Sequence, residues 1–344
     1  MKKRESWLDA LRITSAFLVI VNHTNSGVFQ ASSPEYGTWW LSVAWYYLCK
    51  IAVPVFVMVS GAVLLPRQDS LRKCLGRFGR ILAALLVFSY GYYLWDAWVY
   101  WGLWPRMIDF GAFFEKVWTQ QITDGFWYLY FYMGLMLMLP LLQRMAAAMK
   151  ERELAYLVGL CFLLGAVWPL AAHYVPVLQL PEHFSAPLFT GYIGLFFAGH
   201  WIRSHFTPSK ARMSGAAAAL IASIAVSVVL TRIEFDRVPG GKYWFMDNRM
   251  QPSVFTIIAA VSAMMLAKGL IRDGRIWTEL GGCAFGIYLV QDWLIAETKM
   301  RLFMPLCGMI PAFPAVIVWE LIVFAIALAA AWLMRRIPLL KKIV

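Results

Sequence analysis

Apolar runs of about 20 residues recur along almost the whole chain, and that length is what a helix needs to cross the roughly 30 Å hydrocarbon layer of a membrane. Of the 344 residues, 61% are hydrophobic and only 15% are charged, whereas about a quarter of the residues in soluble domains are charged. We therefore predict an all-α, polytopic integral membrane protein that forms a single transmembrane domain over residues 1–344. The runs predict about ten spans, near residues 8–28, 40–65, 80–102, 125–143, 154–173, 184–203, 213–231, 251–270, 276–297 and 312–334.

Lysine and arginine are distributed unevenly between the connecting segments. One alternate set of segments carries 21 of these basic residues and the opposite set carries 8. Because cytoplasmic loops are enriched in Lys and Arg, this bias and the even number of spans predict that both termini are cytosolic. The net charge of +12 then reflects topology, and we expect no nucleic-acid partner. The first span contains Asp9 and Arg12 and has no small-residue cleavage site behind it, so we expect an uncleaved helix.

The first span is unusual because it carries Asp9, Arg12, Asn22 and His23 in an otherwise apolar run. Ionisable groups inside a bilayer cost several kcal/mol unless they face protein or a water-filled cavity, so this span is predicted to line a site. Helix geometry places Arg12 and His23 on one face, about 16 Å apart along the axis. Asp9 precedes Arg12 by one turn, at the spacing of an ion pair. We predict that His23 accepts a proton during catalysis, with a packed, hydrogen-bonded histidine as the alternative.

The start of the third span carries a second group of charges. Arg77 and Arg80 are one helical turn apart, which lets two guanidinium groups bind one polyanion, and arginine binds phosphate through two hydrogen bonds. An ordinary cytoplasmic basic loop is the alternative interpretation.

Several sequence pieces taken together resemble the membrane acyltransferases of acyltransferase family 3. They are the Arg12 and His23 spacing in the first span, VPVFVMVSG in the second, Arg-x-x-Arg at the start of the third, FWYLYFYMGLMLMLPLL in the fourth and FGIYLVQ in the ninth. The resemblance implies transfer of an acyl group, usually acetyl, from cytosolic acyl-CoA. The implied acceptor is a hydroxyl group of a surface-destined sugar, polysaccharide or glycolipid. The implied location is the bacterial cytoplasmic (inner) membrane.

The resemblance also implies that His23 and Arg12 form the catalytic pair and that Arg77 and Arg80 form a basic motif required for function. We predict Asp9 as a third catalytic residue because its spacing lets it hold the guanidinium of Arg12. Arg77, Arg80 and Arg12 are expected to bind acetyl-CoA or another acyl-CoA. His23 is expected either to act as a general base or to be acylated transiently, and both mechanisms stay open. The sequence departs from the family pattern at two positions: it reads LDALRI where members often have LDGLRG, and Gln291 stands where a histidine is common.

Six residues are candidates for substrate binding. Asn22 and Ser60 are predicted to orient the substrate or to stabilise an oxyanion, with helix packing as the alternative. Trp127 and Tyr128 open the fourth span, where an acceptor sugar could stack, although aromatic residues are also common at membrane interfaces. The remaining two candidates are Tyr288 and Gln291 in the ninth span. No His, Cys, Asp or Glu spacing is typical of a metal site, so we expect no metal.

Two other functions compete with acyl transfer. A membrane transporter or exporter of a small polar or glycan-linked substrate would also carry charges inside its spans, although the sequence shows no clear pair of repeated halves. The second competing function is that of a membrane sensor that has lost its catalytic site. The expected partners are membrane lipid, acyl-CoA and a sugar or glycolipid acceptor. The sequence leaves open the acceptor, the choice of acetyl over succinyl, and homo-oligomer formation.

Overall fold

The computed structural model describes residues 5–24, 34–100, 102, 109–119, 121–179, 191–237 and 252–344. These residues form helices and turns, with no strand in any of the described ranges. The helices are α1 Ser6–Thr24, α2 Gly37–Cys49, α3 Ala52–Leu64, α4 Leu71–Val99, α5 Phe110–Thr119, α6 Trp127–Ala148, α7 Glu151–Phe162, α8 Trp168–Tyr174, α9 Gly191–His205, α10 Lys210–Arg237, α11 Val254–Leu270, α12 Arg275–Gly281, α13 Ala284–Thr298, α14 Met304–Cys307 and α15 Ala312–Met334. A 3-10 turn, Asp124–Phe126, precedes α6, and π-helical turns follow α7 and α13.

Six helical stretches in the described part of the chain are long and apolar enough to cross a membrane. They are Gly37–Leu64, Leu71–Val99, Asp124–Ala148, Glu151–Tyr174, Lys210–Arg237 and Ala312–Met334, and α11 is a shorter apolar helix. The prediction of an all-helical, multi-pass protein is therefore confirmed, whereas the count of ten spans and the cytosolic termini stay predictions. Each predicted run coincides at least partly with helix, although residues 25–28, 101, 184–190 and 251 lie outside the described ranges.

The helix α1 lies at the centre of the bundle. It packs against α2, α3, α11, α12, α13 and α15, and most of its residues are buried. It is not one of the six long apolar stretches. Its polar side chains therefore face protein rather than lipid, which is the arrangement that an ionisable residue in a membrane requires.

Close packing of α3 against α9 depends on two glycines. A Cβ atom on Gly61 would overlap the carbonyl group of Phe196, and one on Gly199 would overlap the backbone of Met58. Small residues let membrane helices approach until their backbones touch. This contact holds α3, which also packs against α1, in place.

The helix that begins with α2 is interrupted at Lys50 and Ile51, where the backbone forms a turn before α3. Pro54 explains the interruption because it has no N–H to donate to the carbonyl of Lys50, four residues earlier. The turn brings Lys50 into the wall of the cavity described below.

The two ends of the bundle can be identified from Arg203. Its guanidinium binds Glu5, with its Nε at 2.7 Å, and also donates to the carbonyl of Ala62 at 2.7 Å. The start of α1 and the end of α3 therefore lie at the same end, and α4 begins there a few residues later. Because Arg77 lies near the start of α4, we call this the Arg77 end. We call the opposite end, where α1 finishes, the His23 end.

Candidate active site

A histidine and an aspartate from different helices meet at the His23 end. The Nδ1 atom of His23 on α1 lies 2.6 Å from Oδ1 of Asp292 on α13. Both side chains are largely buried, with 22% and 12% of their surfaces exposed. A carboxylate at this distance accepts the Nδ1–H of the neutral imidazole, which leaves Nε2 as the proton acceptor.

Asp292 is held by two further hydrogen bonds from the segment before α6. The hydroxyl of Thr123 donates to Oδ2 at 2.7 Å, and the backbone N–H of Gly125 donates to the same oxygen at 3.1 Å. A Cβ atom on Gly125 would overlap the Asp292 carboxylate, so this close approach requires glycine. The Tyr288 hydroxyl donates to the carbonyl of Gly125 and fixes the turn in place.

A tyrosine from α4 contacts the backbone of α13 beside Asp292. The hydroxyl of Tyr92 donates to the carbonyl of Leu289 at 3.2 Å and accepts from the backbone N–H of Trp293 at 3.0 Å. In a regular helix that carbonyl and that N–H bond to each other. The Tyr92 hydroxyl thus bridges one turn of α13, and Asp292 lies within that turn.

A cavity of about 580 Å³ opens beside the His23–Asp292 pair. Five of the predicted site residues line it: Asn22, His23, Trp127, Tyr128 and Tyr288. Its wall also contains other aromatic and polar side chains, among them Tyr46, Lys50, Thr123, Asp124 and Tyr192. The arrangement provides a proton acceptor, flat aromatic surfaces and several hydrogen-bonding groups in one enclosed space.

The predicted ion pair in the first helix is present. Nη1 of Arg12 lies 2.8 Å from Oδ1 of Asp9, whose side chain is fully buried. Because α1 is continuous from Ser6 to Thr24, the guanidinium lies three turns from His23, toward the Arg77 end. The Tyr128 hydroxyl is within hydrogen-bonding reach of Ser60 and close to Arg12, so it connects the cavity wall to this part of the bundle.

Gln291 occupies a different environment from the other candidates. Its side chain is completely buried, its amide atoms have no hydrogen-bond partner among the residues that the structure describes, and it is not among the residues that line the cavity. Its proposed contact with substrate stays a prediction. Asn22, by contrast, lines the cavity and accepts a long hydrogen bond of 3.9 Å from the Sγ of Cys49.

The predicted basic motif lies at the opposite end of the bundle. Nη2 of Arg77 lies 2.6 Å from Oδ2 of Asp69, while Nη1 is buried and has no hydrogen-bond partner within the described ranges. Arg80 is exposed. Although burial raises the pKa of Asp69, hydrogen bonds from Lys73 and Arg77 outweigh it and lower that pKa to about 2. Asp69 is therefore ionised at neutral pH and holds one side of the Arg77 guanidinium.

Sequence reasoning missed two carboxylates. Asp292 follows Gln291 directly, and Glu320 lies in the middle of α15, where it is fully buried and accepts hydrogen bonds from Thr24 and Trp45. An acidic residue inside an apolar span is itself a signal for a site, and that signal was available for both. Within the described ranges, no group of three or more His, Cys, Asp or Glu side chains could hold a metal ion.

The chain was compared with known protein families, curated proteins and solved structures. The family model described as an acyltransferase domain, Acyl_transf_3, matches residues 5–336. No curated protein and no solved structure matches the chain. The family match covers nearly the whole chain and confirms the resemblance found in the motifs.

Proposed function

The chain belongs to acyltransferase family 3, and on that premise we propose that it transfers an acyl group, most simply acetyl, from cytosolic acyl-CoA to a hydroxyl group of a surface-destined sugar, polysaccharide or glycolipid. The His23–Asp292 pair in the wall of a cavity is the observation that carries the proposal. We place the protein in the bacterial cytoplasmic membrane, where one end can meet acyl-CoA and the other can meet the glycan.

His23 acts as general base in this mechanism. Asp292 accepts the Nδ1–H, so Nε2 takes the proton of the acceptor hydroxyl. The hydroxyl oxygen then attacks the thioester carbonyl, so that a C–O bond forms and the C–S bond breaks. The imidazolium returns its proton to the departing thiolate. The carboxylate of Asp292 orients the ring and stabilises the imidazolium while it exists.

The donor is proposed to bind through the Arg77 end. The unbonded Nη1 of Arg77 and the exposed Arg80 suit the phosphates of coenzyme A, because arginine binds phosphate through charge-assisted hydrogen bonds. Arg12 lies on α1 between the two ends, about 16 Å from His23 along the axis. A long, flexible thioester arm is needed to cover that separation, and coenzyme A supplies one.

The acceptor is proposed to occupy the cavity at the His23 end. Trp127, Tyr128 and Tyr288 provide aromatic surface on which a sugar ring can pack. Asn22 precedes His23 and lines the same cavity, where its amide can orient the reacting hydroxyl or stabilise the oxyanion.

The proposal is tested with purified protein and radiolabelled acetyl-CoA. Binding is measured by titration, and transfer is measured as label that enters the glycan and lipid fraction of membranes containing the protein. We expect the wild type to bind and transfer, and His23→Ala to bind with unchanged affinity while transfer falls about 10³-fold or more. The matched control is His200→Ala, because His200 does not line the cavity.

Two results would contradict the proposal in different ways. Absence of acetyl-CoA binding by the wild type would exclude acetyl-CoA as donor. An acetyl adduct on His23, found by mass spectrometry after incubation without acceptor, would replace the general base with a covalent mechanism.

A further inference from the structure

A second cavity lies between α7, α9 and α11 and shares no lining residue with the cavity at His23. Its volume is about 370 Å³. The wall consists mainly of aliphatic side chains and of small residues such as Gly159, Gly191, Gly194 and Ala198. This composition gives a smooth apolar groove with room for a hydrocarbon chain.

The apolar groove continues into a polar compartment. Trp201 and Ser262 line both spaces, and the second space, of about 500 Å³, is bordered by Glu151, His205 and Arg212. His205 Nδ1 lies 3.6 Å from a Glu151 oxygen, and Nη1 of Arg212 binds the carbonyl of Thr207 at 2.8 Å. Arg212 keeps further N–H groups for a ligand, since a guanidinium has five. The compartment therefore contains both a cation, Arg212, and an anion, Glu151.

The length and position of the groove match one leaflet of a membrane. From Gly191 to Trp201 the helix rises about 15 Å, which is half of the roughly 30 Å hydrocarbon layer. The polar compartment lies at the Arg77 end, because Lys268 near the end of α11 donates to the carbonyls of Ile202 and Arg203, both at 2.9 Å. The groove thus runs from one face of the bundle toward its middle.

The indole nitrogen of Trp201 lies where the groove meets the polar compartment. It is buried and has no hydrogen-bond partner in the described part of the chain. Leaving a buried donor without a partner is costly, so an acceptor at this position is expected. A phosphate or ester oxygen of a lipid would supply that acceptor at the level where the headgroup joins its acyl chains.

We propose that this groove binds one phospholipid whose headgroup carries a phosphate and a primary ammonium group. One acyl chain occupies the apolar part, the phosphate meets Arg212 and the Trp201 N–H, and the ammonium meets Glu151. This pairing accounts for both charges in the polar compartment, whereas a second copy of the chain seated in the groove would account only for the apolar part. The proposal is independent of the acyl-transfer function.

The test uses a phosphatidylethanolamine with a photoactivatable diazirine in its acyl chain, reconstituted with the full-length protein. Wild-type protein should be labelled on peptides from α7, α9 and α11. A Cβ atom on Gly159 meets no atom within 4 Å, so Gly159→Leu fills the groove without a backbone clash and should reduce that labelling at least five-fold. Gly134 on α6 has equally open surroundings, and Gly134→Leu is the matched control.

Headgroup recognition is tested by competition with unlabelled lipids. We expect phosphatidylethanolamine to compete at least five-fold better than phosphatidylglycerol for the wild type. Trp201→Phe should weaken both competitors, and Glu151→Gln should remove the difference between them. These substitutions keep the proposal testable even if Gly159→Leu does not fold. Equal labelling of wild type and Gly159→Leu would overturn the proposal, and so would a wild-type dimer that excludes the probe and becomes monomeric in Gly159→Leu.

Discussion

The two ends of the bundle use the same chemical pair, an aspartate bound to a nitrogen base, in opposite ways. At the His23 end, Asp292 accepts hydrogen bonds from His23, Thr123 and Gly125, so the geometry is complete before any substrate arrives. At the Arg77 end, Asp69 holds one side of Arg77, no described residue bonds its Nη1, and Arg80 is exposed. Preorganised groups suit a reaction centre, and hydrogen-bond donors without partners suit a binding site. The difference therefore supports the proposal that the reaction takes place at the His23 end and that the acyl donor binds at the Arg77 end.

Replacing Asp292 is expected to have the largest effect, because this residue holds His23 at the His23 end. Asp292→Asn puts an amide where the carboxylate accepts the Nδ1–H of His23, so the ring loses its orientation and the imidazolium loses its counter-charge. We expect the transfer rate to fall about 10³-fold or more while acetyl-CoA affinity stays unchanged. The control is Asp96→Asn, because Asp96 lies on α4 and does not line the cavity. A transfer rate equal to that of Asp96→Asn would show that the carboxylate of Asp292 is not needed for the reaction.

A single methyl group added at Gly125 tests whether the reaction needs all three hydrogen bonds that Asp292 accepts. In Gly125→Ala the new Cβ overlaps the carboxylate, so either Asp292 or the 3-10 turn must move. We expect a roughly 10²-fold loss in transfer rate, since small misplacements at a reaction centre are costly. Donor binding, measured by the same titration, should be retained. Gly91→Ala on α4, where the added methyl group meets no atom within 4 Å, is the matched control.

Sequence patterns predicted the fold class and part of the site for identifiable reasons. Hydropathy reports helices that face lipid, so it identified the long spans, and helix periodicity correctly paired Asp9 with Arg12. Family resemblance singled out His23 and Arg77 but gave no information about their partners. Asp292 is 269 positions from His23 in the sequence, and only the packing of α13 against α1 brings them together.

Gln291 shows a second limit of the sequence patterns. The resemblance to the family directed attention to position 291, where a histidine is common, whereas the side chain that bonds His23 belongs to the next residue, Asp292. In a helix, neighbouring residues point about 100° apart, so a shift of one position moves a side chain from a buried surface into a cavity wall. Sequence alone does not give the rotation of a helix about its axis.

Removing the Arg77 side chain tests whether the Arg77 end binds the acyl donor. Arg77→Ala deletes the partly exposed guanidinium, whose Nη1 has no hydrogen-bond partner among the described residues, and a hydrogen bond to a charged group contributes about 1.5–3 kcal/mol. The dissociation constant for acetyl-CoA should therefore rise about 10- to 100-fold, while the transfer rate at saturating donor stays within a few-fold of wild type. Arg72 precedes it in the same helix and is exposed, so Arg72→Ala should change affinity less than three-fold. Equal effects of the two substitutions on the dissociation constant would mean that the Arg77 end binds acetyl-CoA only through its general positive charge.

The smallest expected effect concerns Tyr92, which supports the reaction centre without touching the cavity. Tyr92→Phe removes the hydroxyl that donates to the carbonyl of Leu289 and accepts from the N–H of Trp293, so the turn that carries Asp292 loses its hydrogen bonds to α4. We expect the transfer rate to fall about five- to ten-fold, with unchanged acetyl-CoA affinity and a changed pH profile, because the carboxylate shifts relative to His23. Tyr90→Phe is the control, since the Tyr90 ring packs on Phe110 and Phe113. A loss confined to thermal stability would mean that Tyr92 only packs α4 against α13. The groups that orient His23 would then be Asp292 and the Thr123–Gly125 segment, without Tyr92.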